Sequence, residues 1–313
     1  MKPYLFSICI PTWNRRPYLE ALLENIYTQI QGDDDYQVVI CDNNSSDDSY
    51  QSIAKYFDKL NIKYIRRDRN IGSMLNVCSV LNEGDGLYCI LTGDDDLFRE
   101  GWLPLLKPLV LTHSPDVISS NRFVCDRQMT IQYSEQCGPI VQEPTLYQCR
   151  QPGVLLDYLN KTESTSGFGF LSNLVIRQKC WVNSIDCEYV NRHPFAHMIR
   201  IMDILFNHGG SILRVPFETV LVRAGEDRLE ELMGQPGATD FDKLMVHLDG
   251  FLTASSFIFS NSPDLRAGLL TPIRRIFSPA YRDYFPRFAD QFGKREFAVN
   301  FIQKLDQAMS INA

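Results

Sequence analysis

Residues 4–42 read YLFSICIPTWNRRPYLEALLENIYTQIQGDDDYQVVICD. The apolar run Tyr4–Ile10 gives way to Pro11-Thr12-Trp13-Asn14-Arg15. Leu19, Leu22, Leu23, Ile26 and Tyr27 then recur at helical spacing over Tyr18–Ile30. A second apolar run, Gln37–Cys41, closes on Asp42. Strand, helix and strand thus follow one another in under forty residues. The alternation continues downstream. Ser45 or Ser46 caps a helix running through Ile53 and Phe57, and Ile62–Ile65 is a third strand. A helix over Ser73–Leu81 and a fourth strand, Leu87–Leu91, complete the pattern. Strands alternating with helices imply βαβ crossovers and a mostly parallel sheet. Helices cover both faces of such a sheet, which explains why the strands read as near-continuous apolar runs.

Beyond residue 91 the pattern loosens. An apolar segment (Trp102–Leu111) leads to a fifth strand, Asp116–Ser120. Residues 121–165 are irregular, with room for an antiparallel hairpin. Phe168–Ile176 reads as a strand and Phe195–Phe206 as a helix. Two short strands follow, Ile212–Val215 and Thr219–Val222, and the tail reads as helical over Phe241–Ala254 and Tyr281–Met309.

The composition narrows the classes of function. In 313 residues, 44% are hydrophobic and 22% charged, as in an ordinary folded chain. A net charge of -7 argues against a surface that grips nucleic acid. The nine cysteines are an odd number, form no CxxC pair, and sit partly in apolar runs (Cys9, Cys41, Cys89). That pattern predicts a reducing cytoplasm rather than a disulfide scaffold. No signal peptide and no membrane-spanning run stand out.

Ligands of doubly wound sheets collect at the carboxyl ends of the strands. All four of the first strands end in polar, charged or turn residues. These are Pro11–Arg15, Asp42–Asp48, Arg66–Gly72 and Thr92–Asp96. In the last of them, Asp94-Asp95-Asp96, three successive carboxylates repel one another, and a divalent cation offsets that repulsion. Mg²⁺ and its like take oxygen ligands, often one or two carboxylates plus substrate phosphates. Trp13 can stack on a flat base and Asp42 can accept a base N–H, which suits a nucleotide. There is no GxGxxG, no GxxxxGK[ST], no GxSxG and no HExxH.

Together these residues resemble a family 2 glycosyltransferase with the GT-A fold. The resemblance rests on SICIPTWNRRPYLEALLENIYTQ, VVICDNNSSDDS, RNIGSMLN and YCILTGDDDLFREGWL, and covers residues 4–110. It implies an α/β fold with a mostly parallel central sheet and a C-terminal helical extension. The divisions are a catalytic domain over 1–235, with a nucleotide-sugar half (1–110) and an acceptor half (111–235), and an extension over 236–313. Pro11, Thr12, Trp13 and Asp42 would line base and ribose, with Asn14, Asn70, Gly72 and Asn76 in the same motifs. Arg67 or Asp68 would approach the base. Asp94 and Asp95 would face ribose and metal–pyrophosphate. The metal, Mn²⁺ or Mg²⁺, would rest on Asp95 with Asp96, although Asp94-x-Asp96 is the strict DxD.

Inverting members of the family carry a Glu-Asp pair before a Gly and a strand. That slot falls on His197-Met198 here, so His197 stands where the carboxylate base would. A structural histidine is the plain alternative. Glu188, His193 and Asp203 are weaker alternatives to His197, the first two also as acceptor-side candidates, and Gly167–Phe170 with Ser172 and Asn173 resembles an acceptor-facing segment through Gly169 and Ser172. The LTGDDD pattern and the Pro-Phe-x-His stretch resemble a branch of bacterial enzymes that add deoxysugars to surface polysaccharide, such as abequosyltransferases. The implied partners are a nucleotide-sugar donor and a saccharide or lipid-linked saccharide acceptor, with no nucleic acid and with room for a homo-oligomer. Residues 265–304 hold eight basic against three acidic side chains among many aromatics, so the tail either touches an anionic membrane or packs as a bundle. A nucleotidyltransferase making nucleotide-sugars and a non-catalytic nucleotide-sugar binder remain as other readings. The former would want a Gly-rich basic loop after the first strand, which Pro11–Asn14 is not.

Overall fold

The structure is a computed structural model and describes residues 4–224 and 240–309. Its first half follows the alternation read above. It comprises β1 (Phe6–Thr12), α1 (Arg16–Ile30), β2 (Tyr36–Asp42), α2 (Ser49–Ile53), β3 (Ile62–Arg66), α3 (Ser73–Asn82) and β4 (Tyr88–Leu91). The middle adds β5 (Leu97–Phe98), α4 (Trp102–His113), β6 (Val117–Cys125), β7 (Ile131–Glu135), β8 (Thr145–Gln148), α5 (Val154–Lys161), α6 (Ser166–Gly169) and β9 (Leu174–Arg177). Then come α7 (Gln178–Asn183), α8 (Glu188–Arg192), α9 (Ala196–Phe206) and β10 (Ser211–Arg223). The tail is α10 (Asp240–Ile258), α11 (Pro263–Leu269), α12 (Thr271–Ile276), α13 (Pro279–Asp290) and α14 (Arg295–Met309).

The described strands form one sheet in the order β3-β2-β1-β4-β9-β6-β10-β5, with β7 on β6 and β8 on β10. β1 runs parallel to β2 and β4, β2 to β3, and β6 to β10. β9 lies antiparallel between β4 and β6, which keeps β6 in the common direction. Side chains of β1 alternate between faces, as the pleat requires. Ile8 and Ile10 join a core with α1 and α4, and Cys9 joins the opposite core with α3 and α9. Gly86 precedes β4 because a Cβ there would come within 2.6 Å of the Phe6 and Ser7 backbone.

Three local expectations are corrected. The α2 N-cap is Asp48, in the left-handed region, rather than Ser45 or Ser46. Ser45 is instead turned inward, its amide donating to Asp42 Oδ1 at 2.7 Å. Phe168 lies in the short helix α6, and the strand begins only at Leu174. The two short strands after residue 211 are one strand, β10, whose pairing shifts register between Arg214 and Val220.

The 235/236 division falls outside the described residues. The tail packs on the catalytic core: Phe277, Phe285 and Phe301 are buried in the same cluster as Cys9 and Ile199. Its basic side chains are largely paired, as in Arg275–Glu163 (3.0 Å), Lys294–Asp242 (3.2 Å), Lys304–Asp249 (3.3 Å) and Arg282–Asp306. Among the described residues no helix is long and apolar enough to cross a membrane. All nine cysteines are free.

Candidate active site at the carboxyl edge

Register brings the strand ends together. Thr12 at the end of β1 lies beside Asp42 at the end of β2, and Asp42 beside Arg66 at the end of β3. On the other side of β1, Cys9 pairs with Leu91, so the chain leaving β4 runs past Thr12. Asp94 arrives there, and Thr12 Oγ1 donates to its Oδ2 at 2.7 Å, with both residues buried.

Each acidic side chain is separately held. Asp42 is fully buried and accepts the Tyr64 hydroxyl and the Ser45 amide, while the Arg66 guanidinium stands 3.8 Å away. Asp95 is half-buried and takes Arg15 Nη1 at 2.6 Å, and the same nitrogen lies 3.5 Å from Asp94 Oδ1. Asp96 points inward. Its Oδ2 accepts the Ser172 hydroxyl at 2.5 Å, and its Oδ1 faces the Arg223 amide at 3.3 Å. Burial, and after it the neighbouring Asp95 charge, push the Asp96 carboxyl up to about 8. Ser172 also accepts the Gly93 amide at 2.8 Å, so one hydroxyl braces both ends of the Gly93–Asp96 turn.

The loops around this cluster are tied to one another. Asn14 adopts a positive φ of 52°. Its amide donates to Ser45 Oγ and its Oδ1 accepts the Ser46 amide. Asn43 bridges to Asn70 and to the Ile71 amide. Asn70 Oδ1 accepts the Gly72 amide, where φ is 91°, a conformation that suits glycine. Asn76 is buried and donates to the Cys41 carbonyl, holding α3 against the end of β2. Pro11 and Trp13 are half-buried at the rim.

The structure separates other expected residues from this cluster. Arg67 turns its guanidinium to Ser79 Oγ at 2.7 Å, whereas Asp68 is exposed. Glu188 is exposed and bridges to Arg192 at 3.0 Å on α8. His193 is tied at both ring nitrogens, to Thr253 Oγ1 and the Phe195 amide. Gly169 packs on Phe195 and Phe251. His197 lies on α9 at 2% exposure, with no hydrogen-bond partner at either ring nitrogen. Burial lowers it to about 4, which the facing backbone of Gly169 and Phe168 only partly opposes. It is therefore neutral at pH 7.

Four further contributors have no role that the sequence assigns, although Arg15 lies within the polar strand end Pro11–Arg15. Tyr64 and Arg15 reach the acidic groups from β3 and the β1 loop. Arg122 on β6 pairs with Glu135 on β7 at 2.6 Å, donates to Ser166, and lies 4.1 Å over the Phe170 ring. Arg223 ends β10 beside Asp95 and Asp96.

The acidic turn suits a hard divalent cation. Its donors are carboxylate oxygens, the ligand type such cations take, and Asp94 and Asp95 stand side by side at one arginine nitrogen. Among the described residues no three His, Cys, Asp or Glu side chains form a ready metal cage. Two carboxylates completed by donor phosphates is the arrangement hard cations commonly use.

Comparison with known proteins agrees with this geometry. The chain is 26% identical over 276 residues to abequosyltransferase RfbV of Salmonella typhimurium, spanning 84% of this chain and 78% of that protein. A 114-residue stretch is 28% identical to the poly(ribitol-phosphate) beta-N-acetylglucosaminyltransferase TarS of Staphylococcus aureus, covering 36% of this chain and 20% of TarS. The fold superposes on S. aureus TarS 1–349 in complex with UDP-GlcNAc with a TM-score of 0.67 at 16% identity, covering 96% of this chain and 81% of that one. It also superposes on the mannosyltransferase PcManGT of Pyrobaculum calidifontis, in complex with GDP-Man and Mn²⁺, with a TM-score of 0.50 at 13% identity, covering 99% and 88% of the two chains. The Glycosyl transferase family 2 sequence pattern matches residues 7–170, β1 through α6, so the chain belongs to glycosyl transferase family 2.

Proposed function

We propose that this chain moves a sugar from a nucleotide-diphosphate sugar to a hydroxyl of a glycan or lipid-linked saccharide, in bacterial O-antigen or capsule synthesis. The observation that carries the reading is the convergence of Thr12, Asp42, Asp94 and Asp95 at one sheet edge. The similarity to an abequosyltransferase along most of both chains supports the polysaccharide side. The donors named in the TarS and PcManGT complexes support the nucleotide-sugar side, and the Mn²⁺ of the latter supports a divalent cation.

In this reading, base and ribose lie against Pro11, Thr12, Trp13 and Asp42, with the exposed Asp68 as the base contact rather than Arg67. Asn14, Asn70, Gly72 and Asn76 hold the loops that frame them. Asp95, with Asp96 behind it in the same turn, would hold Mn²⁺ or Mg²⁺, and the bound metal would supply Lewis-acid neutralisation of the leaving diphosphate. Thr12 fixes Asp94 toward the ribose. The turn's backbone, pinned by Ser172, keeps these carboxylates preorganised where charge develops. The acceptor approaches from the α6–α9 side, where Gly169, Glu188 and His193 shape the surroundings. His197, which stands at the family's base slot, is the group that would take the acceptor proton as the new bond forms, in an inverting displacement. The enzyme works in the cytoplasm. The burial of Phe277, Phe285 and Phe301 in one cluster with the core favours packing of the tail over membrane contact.

Turnover of a panel of UDP-, GDP-, CDP- and dTDP-sugars with Mn²⁺ or Mg²⁺ tests the reading. Metal-dependent release of nucleotide diphosphate from one of them supports it. No turnover together with no metal-dependent nucleotide binding sinks it.

A further inference from the structure

The cluster contains a cation of its own. Arg15 Nη1 lies 2.6 Å from Asp95 Oδ2 and 3.5 Å from Asp94 Oδ1, and its side chain is only 13% exposed. It therefore spans two successive carboxylates of the acidic turn. The guanidinium is always charged and its forked donors suit carboxylate and phosphate oxygens alike. Its anchor point is fixed. Arg15 directly follows Asn14, whose backbone amide donates to Ser45 Oγ and whose side-chain oxygen accepts the Ser46 amide, and precedes Arg16, whose amide donates to Asp47 Oδ2 at 2.8 Å. The backbone on both sides of residue 15 is thus held.

Resting on the donor reading above, we propose that Arg15 is an internal counter-ion for the aspartate turn. It occupies Asp95 when no divalent cation is present, and transfers to the donor's diphosphate when the cation takes Asp95. Two cations cannot share Asp95 without repulsion, so metal binding and the Arg15–Asp95 contact oppose each other. The released guanidinium meets the nearest new anion, the diphosphate, which the metal has brought to the same turn. Arg15 is then a positioning residue that couples metal to donor. Ligands that favour different states of one element are linked reciprocally. No bond is made or broken in this exchange of ion pairs.

The test compares the wild-type protein with Arg15→Ala and Arg15→Lys by calorimetry, titrating Mn²⁺ alone and then UDP and GDP at saturating Mn²⁺. For Arg15→Ala the expected result is Mn²⁺ binding about tenfold tighter in the absence of nucleotide, since the competing cation is gone, with diphosphate binding about tenfold weaker. Arg15→Lys should fall between the two on both measures. Unfolding temperatures provide a second readout: Mn²⁺ should stabilise Arg15→Ala more than wild type. Unchanged or weaker Mn²⁺ binding by Arg15→Ala overturns the counter-ion role. Unchanged diphosphate binding overturns the transfer. If the wild type binds Mn²⁺ but neither diphosphate, CDP and dTDP take their place in the same titrations; binding of none of the four sinks the donor reading, and the Mn²⁺ comparison still decides the counter-ion role.

Discussion

Replacing Ser172 by alanine removes one oxygen and two hydrogen bonds from the aspartate turn. The hydroxyl donates to Asp96 Oδ2 at 2.5 Å and accepts the Gly93 amide at 2.8 Å, at 3% exposure. Hydrogen bonds to charged groups are worth about 1.5–3 kcal/mol and neutral ones about 1 kcal/mol, and neither partner finds water easily here. The expected loss is about 2–4 kcal/mol. For a chain of this size that lowers the unfolding temperature by roughly 3–6 °C. Ser172→Ala should also lose metal-dependent nucleotide affinity, because the turn that presents Asp95 is no longer pinned. Thermal unfolding and calorimetry with Mn²⁺ and UDP or GDP measure both effects. A direct acceptor contact would behave differently, raising the acceptor KM while stability and donor binding stay put. A variant that melts within about 1 °C of wild type and binds nucleotide equally well would refute the bracing role.

Asp95→Ala should cost turnover about a thousandfold or more while circular dichroism stays native, because it removes a carboxylate from the half-exposed rim of the turn. His197→Phe should keep the fold, since no hydrogen bond is lost, and should slow transfer at least about a hundredfold if the imidazole takes the acceptor proton. The same variant has a pH signature in stability. A folded-state pKa lowered from 6.5 to about 4 makes the histidine's contribution full above pH 6.5 and erodes it as pH falls toward 4. The wild-type-minus-variant stability difference should therefore shrink over that window by up to about 3 kcal/mol, and urea titrations at several pH values would expose a flat difference. Gly86→Ala should destabilise by about 2–3 kcal/mol, because its Cβ would press on the backbone of Phe6 and Ser7 at 2.6 Å and backbone there has no room to yield. A melting curve identical to wild type would show that β1 and β4 can part.

The first half of the fold is legible because its strands are covered on both faces. Burial leaves a continuous apolar run in β1, β2 and β4, and the intervening helices carry their own period. The second half hides its strands behind buried polar groups. β10 reads as two pieces because Pro216 and Glu218 interrupt it. Arg214 is fully buried, donating to the Pro139 and Ser119 carbonyls and to Asn121. Phe168 looks like the start of a strand, but Gly167 lets α6 close against the Cys137 carbonyl, where a Cβ would lie at 2.2 Å. The site divides the same way. Asp42, Thr12 and the three aspartates stand at strand ends, a position the alternation reveals. The partners that set their electrostatics come from elsewhere: Arg15 lies eighty residues from Asp95, and Ser172 seventy-six from Asp96. Pairings at that separation depend on sheet order, which no local stretch encodes. Arg67 illustrates the converse, since it stands at the end of the third strand while its side chain folds back onto α3.

The most direct measurement is calorimetric titration of wild type and Asp95→Ala with UDP-, GDP-, CDP- and dTDP-sugars, each with and without Mn²⁺. One nucleotide-sugar should bind the wild-type protein only when Mn²⁺ is present, with that binding lost in Asp95→Ala and the fold retained. Nucleotide-sugar binding that is indifferent to both Mn²⁺ and Asp95, or absent throughout, would contradict a metal-assisted donor site at the aspartate turn.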